Sequence, residues 1–304
     1  MEFGVHLPDA GGMAQREPFL AYCRAAEDHG YESVWSSDHI AWPDVASISS
    51  QYPYGDNSGF PSPGSPWLDC IGSLTFAAAA TERVRLGTTV LIIGYRPAIQ
   101  QAKAWATLDV LSGGRAILGV GVGWMKEEFE AIGMPWDERG ARADEFLDVF
   151  EKLWADERVT HDGRFDRFGP IGFSPKPVNG RIPVWVGGHT RPAFRRTARY
   201  GDAFHAAFTP PAELAAMFDA VGAECEAIGR NPAEVERTML HRVLFDHEAD
   251  GAISGSVGRI VDQIGEYAAL GVSHMAVFFL QRGGVDARLE AIQRFAEEVR
   301  PQLR

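Results

Sequence analysis

The chain has 304 residues, 45% of them hydrophobic and 23% charged, so it is long enough to bury a substantial core. Its formal net charge of −12 disfavours phosphate backbones and anionic lipid, so we expect neither a nucleic-acid nor a membrane-surface partner. Three widely spaced cysteines form no Cys-x-x-Cys pair, and no apolar run is as long as a membrane span, which together predict a cytoplasmic protein.

Strand-like and helix-like segments alternate along the chain from its first residues. Eight strands are predicted, at 2–8, 31–37, 83–93, 115–123, 181–188, 202–208, 237–245 and 272–280. Eight helices follow them in turn, at 17–30, 67–82, 98–114, 142–156, 191–201, 211–229, 256–271 and 286–300.

Strict alternation of strands and helices predicts a parallel sheet with right-handed crossovers. Eight such units in this length predict a closed (β/α)₈ TIM barrel, in one domain that spans residues 1–304. The additional residues form insertions after the second strand, at 39–66, and between the fourth helix and the fifth strand. The alternative is a doubly wound open sheet, which usually has a glycine fingerprint after its first strand, and "LPDAGGMAQ" lacks that spacing.

The active site of such a barrel lies at the C-terminal ends of its strands, so the residues just past each strand are candidates. Asp38 and His39 follow the second strand, and His6 lies near the end of the first. A histidine titrates near neutral pH and suits proton transfer in this place. The structural alternative is that Asp38 caps a helical turn and that His39 covers the rim.

A second candidate lies between the fifth strand and the next helix. The strand ends in Gly187 and Gly188, and His189 and Thr190 precede the helix. Small residues and free amides at a helix start are typical of phosphate sites, although a tight turn also needs glycine. Three arginines add positive charge nearby, at positions 191, 195 and 196.

The fourth predicted strand has glycine at every second position. Gly119, Gly121 and Gly123 alternate with apolar residues in "ILGVGVGW". Glycine in this pattern leaves one strand face bare. We therefore expect this face to have room for a flat ring.

Several longer segments carry a resemblance to a known family. They are "GYESVWSSDHI", "AAAATERVRLGTTVLI", "QQAKAWATLDVLSGGRAILGVGVGWMKEEFEAIG", "ERGARADEFLDVFEKLW", "PKPVNGRIPVWVGG" and "TARYGDAF". By these segments the chain resembles the bacterial luciferase-like superfamily of flavin and deazaflavin oxidoreductases. The resemblance is closest to the branch that uses the deazaflavin coenzyme F420.

The resemblance implies a barrel with the cofactor ring lying across its mouth. It implies a non-prolyl cis peptide between Thr89 and Val90, in a bulge of the third strand that supports the ring. The implied cofactor-binding residues are Asp38, Thr88, Thr89, Val90, Gly121, Val122, Gly123, Trp124, Gly187, Gly188, His189 and Thr190. The expected substrate pocket contains His6, Trp42, Trp67 and Trp124.

The chain departs from part of the family at one position. Some sugar-phosphate dehydrogenases of this branch have a glutamate where Trp124 stands, and the nearest acids here are Glu127 and Glu128. A sugar phosphate handled by that acid is therefore not expected. Together with Trp124, Trp42 and Trp67, the loop aromatics Tyr52, Tyr54 and Phe60 favour a flatter, more apolar substrate, unless they only pack the loop.

The resemblance predicts hydride transfer between coenzyme F420 and a small organic substrate, with His39 as general acid or base. Asp38 would orient His39 or hydrogen-bond the ring, and the adjacent positions of the two residues favour the second role. The alternative cofactor is FMN, which would make the chain a two-component monooxygenase supplied by a separate reductase.

Two further classes of function stay open, a metal-dependent hydrolase and a flavin-binding protein without catalysis. The hydrolase is disfavoured because no His-x-His or comparable ligand pair occurs in the sequence. The resemblance also implies a homodimer formed through helices early in the barrel, where "SLTFAAAATE" and "AKAWATLDVL" have the small and apolar residues that such packing needs.

Overall fold

The computed structural model describes residues 1–44, 48–53 and 64–303. Eight parallel strands close into a barrel in the order in which they follow one another along the chain, and the last of them pairs again with the first. In the register of this closure Glu2 lies opposite His274 and Val5 lies opposite Val277. The predicted (β/α)₈ barrel is therefore confirmed.

The strands are β1 (Glu2–His6), β2 (Ser33–Ser36), β3 (Arg85–Thr88), β4 (Leu91–Ile92), β5 (Ala116–Gly121), β6 (Arg158–Asp162), β7 (Arg167–Gly172), β8 (Val184–Gly187), β9 (Ala203–Ala207), β10 (Glu236–Phe245), β11 (Ile253–Gly255) and β12 (His274–Phe279). The helices are α1 (Arg16–Asp28), α2 (Cys70–Ala80), α3 (Ala98–Ser112), α4 (Lys126–Ala131), α5 (Arg139–Ala155), α6 (Arg191–Tyr200), α7 (Pro211–Ala227), α8 (Val257–Ala269) and α9 (Gly284–Arg294). No helix in the described part of the chain is both long and apolar enough to span a membrane.

The structure differs from the prediction in several elements, one of which is the unpredicted short strand β11 beside the end of β10. The third strand is divided into β3 and β4 by a cis peptide between Thr89 and Val90, as the resemblance implied. The insertion before the fifth strand contains the antiparallel hairpin β6–β7, whose strands have too few apolar residues for the periodicity to reveal them. The short helix α4 follows β5 at the barrel mouth and was not predicted, because six residues are too few to show a helical period.

Two of the apolar clusters in the described residues form the body of the barrel, and a third, around Phe129, lies beside β4. The larger of the two lies between the strands and the surrounding helices. The smaller of the two fills the bore, the space enclosed by the strands, and includes Trp35, Ile117, Trp185 and Leu240. A Cβ atom at Gly87 would lie 2.3 Å from the Trp35 ring, so glycine is needed there to admit the indole.

Candidate active site at the barrel mouth

The bore-facing residues of each strand lie in layers, because alternate residues of a strand face the same side. Trp35, Trp185 and Leu240 occupy the middle layer. The bore-facing residues toward the C-terminal ends of the strands lie at the mouth, and we call the following set of them the upper bore layer. It includes His6, Ser37, Thr89, Gly187, Ala207, Arg242 and Phe278.

His39 is held at the mouth by a buried carboxylate. Its Nδ1 lies 2.7 Å from Oε2 of Glu128, a side chain with 0% exposure. Because an ionised carboxylate only accepts hydrogen bonds, Nδ1 carries the proton and donates it. Nε2 is then left to exchange a proton with another group, and no described residue hydrogen-bonds to it.

Glu128 is ionised because four donors surround it. Tyr95 Oη donates to Oε2 at 2.7 Å, and the amides of Ile40 and Ala41 donate to Oε1 at 2.6 and 3.1 Å. Burial alone would raise the pKa of Glu128, but the hydrogen bonds from His39, Tyr95 and Ile40 outweigh it and the pKa is lowered. The negative charge that faces His39 is therefore permanent at neutral pH.

Two tryptophans flank the His39 ring. The ring centroids of Trp42 and Trp67 each lie 4.6 Å from that of His39, and both meet it edge to face. The two indoles stack on each other at 5.3 Å with an interplanar angle of 6°. The structure thus brings His39, the expected general acid or base, together with Trp42 and Trp67 of the expected substrate pocket.

Asp38 is engaged elsewhere. Arg96 donates to both of its carboxylate oxygens, at 2.8 and 2.9 Å, and the amide of Ile92 donates to Oδ2 at 3.0 Å. Arg96 also pairs with Asp69, which caps helix α2, and its pKa is raised by these carboxylates despite burial. Asp38 therefore fixes the segment after β4, and Glu128, not Asp38, hydrogen-bonds His39.

The glycines of β5 accommodate the third strand. A Cβ at Gly119 would lie 1.8 Å from the Thr88 carbonyl oxygen, and one at Gly121 would lie 2.6 Å from Cγ2 of Val90. Gly123 has φ +79°, and a Cβ there would lie 2.8 Å from Ile92. The expectation that this face is open to a flat ring is therefore wrong, because the bulge of the third strand occupies it.

Thr89 is tied to the bore by a hydrogen-bond chain. Its Oγ1 lies 2.9 Å from Nε2 of His205, and Nδ1 of His205 lies 2.9 Å from Oγ1 of Thr238. Thr238 donates to the Phe204 carbonyl, so it accepts from Nδ1, and Nε2 accepts the Thr89 proton. Burial lowers the pKa of His205 to about 3, which keeps the ring neutral.

The loop after β5 meets described pieces of the long insertion. The ring of Trp124 contacts that of Tyr52 edge to face, with 5.2 Å between the ring centroids. Val122, two residues earlier in the chain, is half-buried. Glu127 accepts from the amide and the hydroxyl of Ser49, both at 2.7 Å, and from the amide of Ser50 at 3.1 Å. Burial alone would raise the pKa of Glu127, but the hydrogen bonds, above all those from the two serine side chains, lower it to about 2. Tyr54 and Phe60 lie outside the described residues.

At the candidate phosphate site, the helix begins where the sequence predicts it, but carboxylates neutralise the positive charge that was expected nearby. Helix α6 begins after Thr190, whose carbonyl accepts the first helical hydrogen bonds, so the amides of residues 188–191 precede them. Gly188 has φ +129°, which the turn itself requires. The three nearby arginines are paired with carboxylates, Arg191 and Arg195 with Glu224 and Arg196 with Asp144.

Sequence reasoning missed Glu128, Tyr95, Arg96 and Arg242. Glu128 follows the end of β5, so the rule that strand ends form the mouth would have included it if helix α4 had been recognised. Arg242 lies within a predicted strand, and only its place in the upper bore layer shows that it reaches the mouth. His6 is also in this layer, with Nε2 2.8 Å from Oγ of Ser37 and its ring 4.8 Å from that of Phe278.

A closed parallel barrel with a histidine–carboxylate pair at its C-terminal mouth defines the chain as a TIM-barrel enzyme. The family model described as luciferase-like monooxygenase matches residues 1–254. A coenzyme F420-dependent glucose-6-phosphate dehydrogenase of Nakamurella multipartita is 31% identical over 282 residues, covering 90% of this chain and 73% of that protein. The chain belongs to the luciferase-like monooxygenase family.

Other comparisons agree on the fold. The solved monooxygenase RslO1 from Streptomyces bottropensis has a TM-score of 0.81 at 21% identity, with all of both chains covered. The coenzyme F420-dependent tetrahydromethanopterin reductase from Methanopyrus kandleri has a TM-score of 0.78 at 20% identity, covering 100% of this chain and 99% of the other. An uncharacterised Mycobacterium tuberculosis protein is 36% identical over 188 residues, which are 60% of this chain and only 64% of the relative's length.

Proposed function

We propose that the chain is a coenzyme F420-dependent oxidoreductase that exchanges a hydride with a small alcohol or carbonyl compound. The observation that carries the proposal is the His39–Glu128 pair, which leaves Nε2 of a mouth histidine available for the substrate proton. The F420-dependent dehydrogenase that covers 90% of the chain supports the choice of coenzyme. The comparisons give no support to a metal-dependent hydrolase.

The mouth residues fit a ring-and-phosphate cofactor. Val90 of the cis-peptide bulge packs closely over Gly187, where an added Cβ would lie 2.9 Å from Cγ1 of Val90, so the bulge itself is the surface that we propose faces the ring. The helix start at Thr190 offers backbone amides and a partial positive charge to a phosphate. We therefore keep Thr88 to Val90, Val122 to Trp124 and Gly188 to Thr190 as proposed cofactor contacts. Gly121 and Gly187 are not kept, because Val90 covers them. Asp38 is not kept either, because Arg96 and the amide of Ile92 engage its carboxylate.

When bound, the deazaflavin supplies hydride transfer, and the protein manages the proton. His39 takes the hydroxyl proton of an alcohol at Nε2 during oxidation and returns it to a carbonyl oxygen during reduction. Glu128 keeps the proton on Nδ1 and stabilises the imidazolium that forms. Trp42 and Trp67 cover the ring and limit the access of water to it.

The competing proposal is an FMN-dependent monooxygenase that receives reduced flavin from a separate reductase. The structural likeness to a monooxygenase favours it as the second candidate. A homodimer is proposed with either cofactor, and apolar residues exposed on the adjacent helices α2 and α3 support it, namely Phe76, Val110 and Leu111. The three cysteines are buried and free, which supports a reducing, cytoplasmic location.

The first test is equilibrium binding of oxidised F420 and of FMN, followed by tryptophan fluorescence, to the wild-type protein and to His39→Gln. We expect F420 to bind at least tenfold more tightly than FMN and His39→Gln to keep that affinity within about threefold. Turnover with a panel of alcohols and carbonyl compounds, read from coenzyme absorbance, should fall about 10²-fold or more in the variant.

Tighter binding of FMN would replace this proposal with the monooxygenase. Equal losses of turnover and of coenzyme affinity in His39→Gln would remove the histidine from its catalytic role.

A further inference from the structure

Arg242 carries the one positive charge of the upper bore layer as defined above. It lies opposite Phe278 in the β10–β12 register, two residues beyond Leu240 of the bore core. Its side chain is half-buried, in a chain whose formal net charge is −12. A cation thus lies at the mouth of a protein whose net charge is negative.

The described neighbours of Arg242 are neutral. Its guanidinium carbon lies 3.8 Å from the ring centroid of Phe208, and the phenol of Tyr52 is close enough to accept a hydrogen bond from it. Burial raises the pKa of Tyr52, and the guanidinium opposes this rise, so the phenol stays neutral. Among residues 1–44, 48–53 and 64–303, no carboxylate forms an ion pair with Arg242.

Two other partly buried arginines differ in this respect, whereas Arg115 and Arg139, which also form no ion pair within the described residues, donate to backbone carbonyls instead. Arg96 is paired with Asp38 and Asp69, and Arg196 is paired with Asp144. A guanidinium withdrawn from water without a counter-ion costs free energy, which an arriving anion would recover. The planar guanidinium of Arg242 matches the geometry of a carboxylate, which can accept two parallel hydrogen bonds from it.

Phe208 has an unusual backbone that supports this arrangement. Its φ is +51°, a left-handed conformation that bulky residues rarely adopt, and its amide donates to the Leu240 carbonyl at 2.9 Å. Such conformations tend to persist where function requires the placement of the side chain. Here the conformation accompanies a ring whose centroid lies 3.8 Å from the guanidinium carbon of Arg242.

We propose that Arg242 binds a carboxylate of the substrate, so that the substrate is a small organic acid that also bears the hydroxyl or carbonyl group. This inference rests on the proposed function for the redox step but not for the binding step. A cofactor phosphate is the other source of anionic oxygens, and the proposed phosphate contacts lie two strands away, after β8.

The test compares benzoate with benzamide, which share a ring and differ in charge. Binding to the purified protein is followed by tryptophan fluorescence in wild type, Arg242→Gln and Arg242→Lys. We expect Arg242→Gln to lower the affinity for benzoate at least about tenfold and the affinity for benzamide less than twofold. The benzoate affinity of Arg242→Lys should lie between those of wild type and Arg242→Gln, because lysine keeps the charge but lacks the two parallel N–H donors of a guanidinium. Arg237→Gln is the matched control, since Arg237 is on the same strand and contacts Phe218 and the Leu270 carbonyl.

A second pair of probes separates the substrate from the cofactor. F420 and its phosphate-free deazaflavin core should keep their wild-type affinities in Arg242→Gln. Loss of affinity for F420 alone would assign Arg242 to the cofactor phosphate and overturn the proposal, as would equal binding of benzoate to wild type and Arg242→Gln. Selective benzoate binding by a wild-type protein that binds no F420 would support the anion site while contradicting the proposed function.

Discussion

At the scale of single residues, the feature with the largest chemical effect is the buried carboxylate of Glu128. It accepts from an imidazole, a phenol and two backbone amides, so its charge is fully satisfied without water. The sequence placed His39 at the mouth, since the ends of barrel strands meet there. The sequence could not show that Glu128 is the partner of His39. The two residues are 89 positions apart, and their contact depends on where the six-residue helix α4 begins.

We predict that Glu128→Gln changes the tautomer of His39. The glutamine side chain has one acceptor oxygen in place of two, and its NH₂ group cannot accept the Nδ1 proton. The ¹⁵N chemical shifts of His39 should therefore show a larger fraction of the Nε2–H form, and kcat should fall at least about tenfold through loss of the correctly placed base.

Glu130→Gln is the matched control for this variant. Glu130 is on the same helix but is exposed and pairs only with Lys126 among the described residues, so neither readout should change. A Glu128→Gln protein with wild-type His39 shifts and reduced thermal stability would show that Glu128 has a structural role only.

At the scale of elements, the third and fourth barrel strands interlock. Thr88, Val90 and Ile92 each fill the space above a glycine of the neighbouring segment, at positions 119, 121 and 123. The alternation of the glycines was visible in the sequence. The sequence does not show which residues fill the bare face of a strand, because these depend on the conformation of the neighbouring strand. Here that neighbour is the third barrel strand, which a cis peptide divides into β3 and β4.

We predict that Gly119→Ala destabilises the fold by about 3 kcal/mol or more, since its Cβ would meet a backbone carbonyl that cannot rotate away. Urea unfolding measures the change. Gly265→Ala is the control, because that glycine lies inside α8 with no atom near its added Cβ, and the variant should be stabilised by about 0.5–1 kcal/mol. Equal stability of the two variants would contradict the interlock.

At the scale of the whole molecule, the barrel followed from the sequence because every predicted unit has its own apolar period and the units repeat eight times. The less regular parts did not follow. The hairpin β6–β7 has mostly exposed residues, and the ion pairs around Arg96 and Arg196 join segments that only the closed barrel brings together. Periodicity reports which face of an element is buried, not which partner buries it.

Buried neutral histidines predict how stability depends on pH. Burial lowers the pKa of His205 to about 3 and of His241 to about 4, from an ordinary value of 6.5. The unfolded chain therefore binds more protons below pH 6.5, and the free energy of unfolding falls as the pH falls from 6.5 toward these values. From pH 6.5 to 5 we expect a loss of about 1.5 kcal/mol for each of the two histidines.

Chemical denaturation at several pH values measures this slope. Above pH 5 the histidines dominate the change in the free energy of unfolding. Carboxylates with a lowered pKa, such as Glu2 and Glu127, lose their contribution to that free energy only below about pH 4.5. His205→Gln should reduce the slope by the share of one histidine, and the exposed His247→Gln should leave it unchanged. An unchanged slope in His205→Gln would mean that His205 does not stay neutral in the folded protein.

Helix α4 presents two consecutive glutamates to the same insertion. Glu128 holds the backbone of Ile40 and Ala41 together with the ring of His39, while Glu127 holds Ser49 and Ser50. Thermodynamic linkage is reciprocal, so a ligand that changes the hydrogen bonds between Glu128 and the backbone after β2 must shift the protonation equilibrium of His39, and protonation of His39 must change the binding free energy of that ligand by the same amount. The six residues of helix α4 therefore couple the backbone at Ile40 and Ala41 to the histidine that we propose transfers the proton.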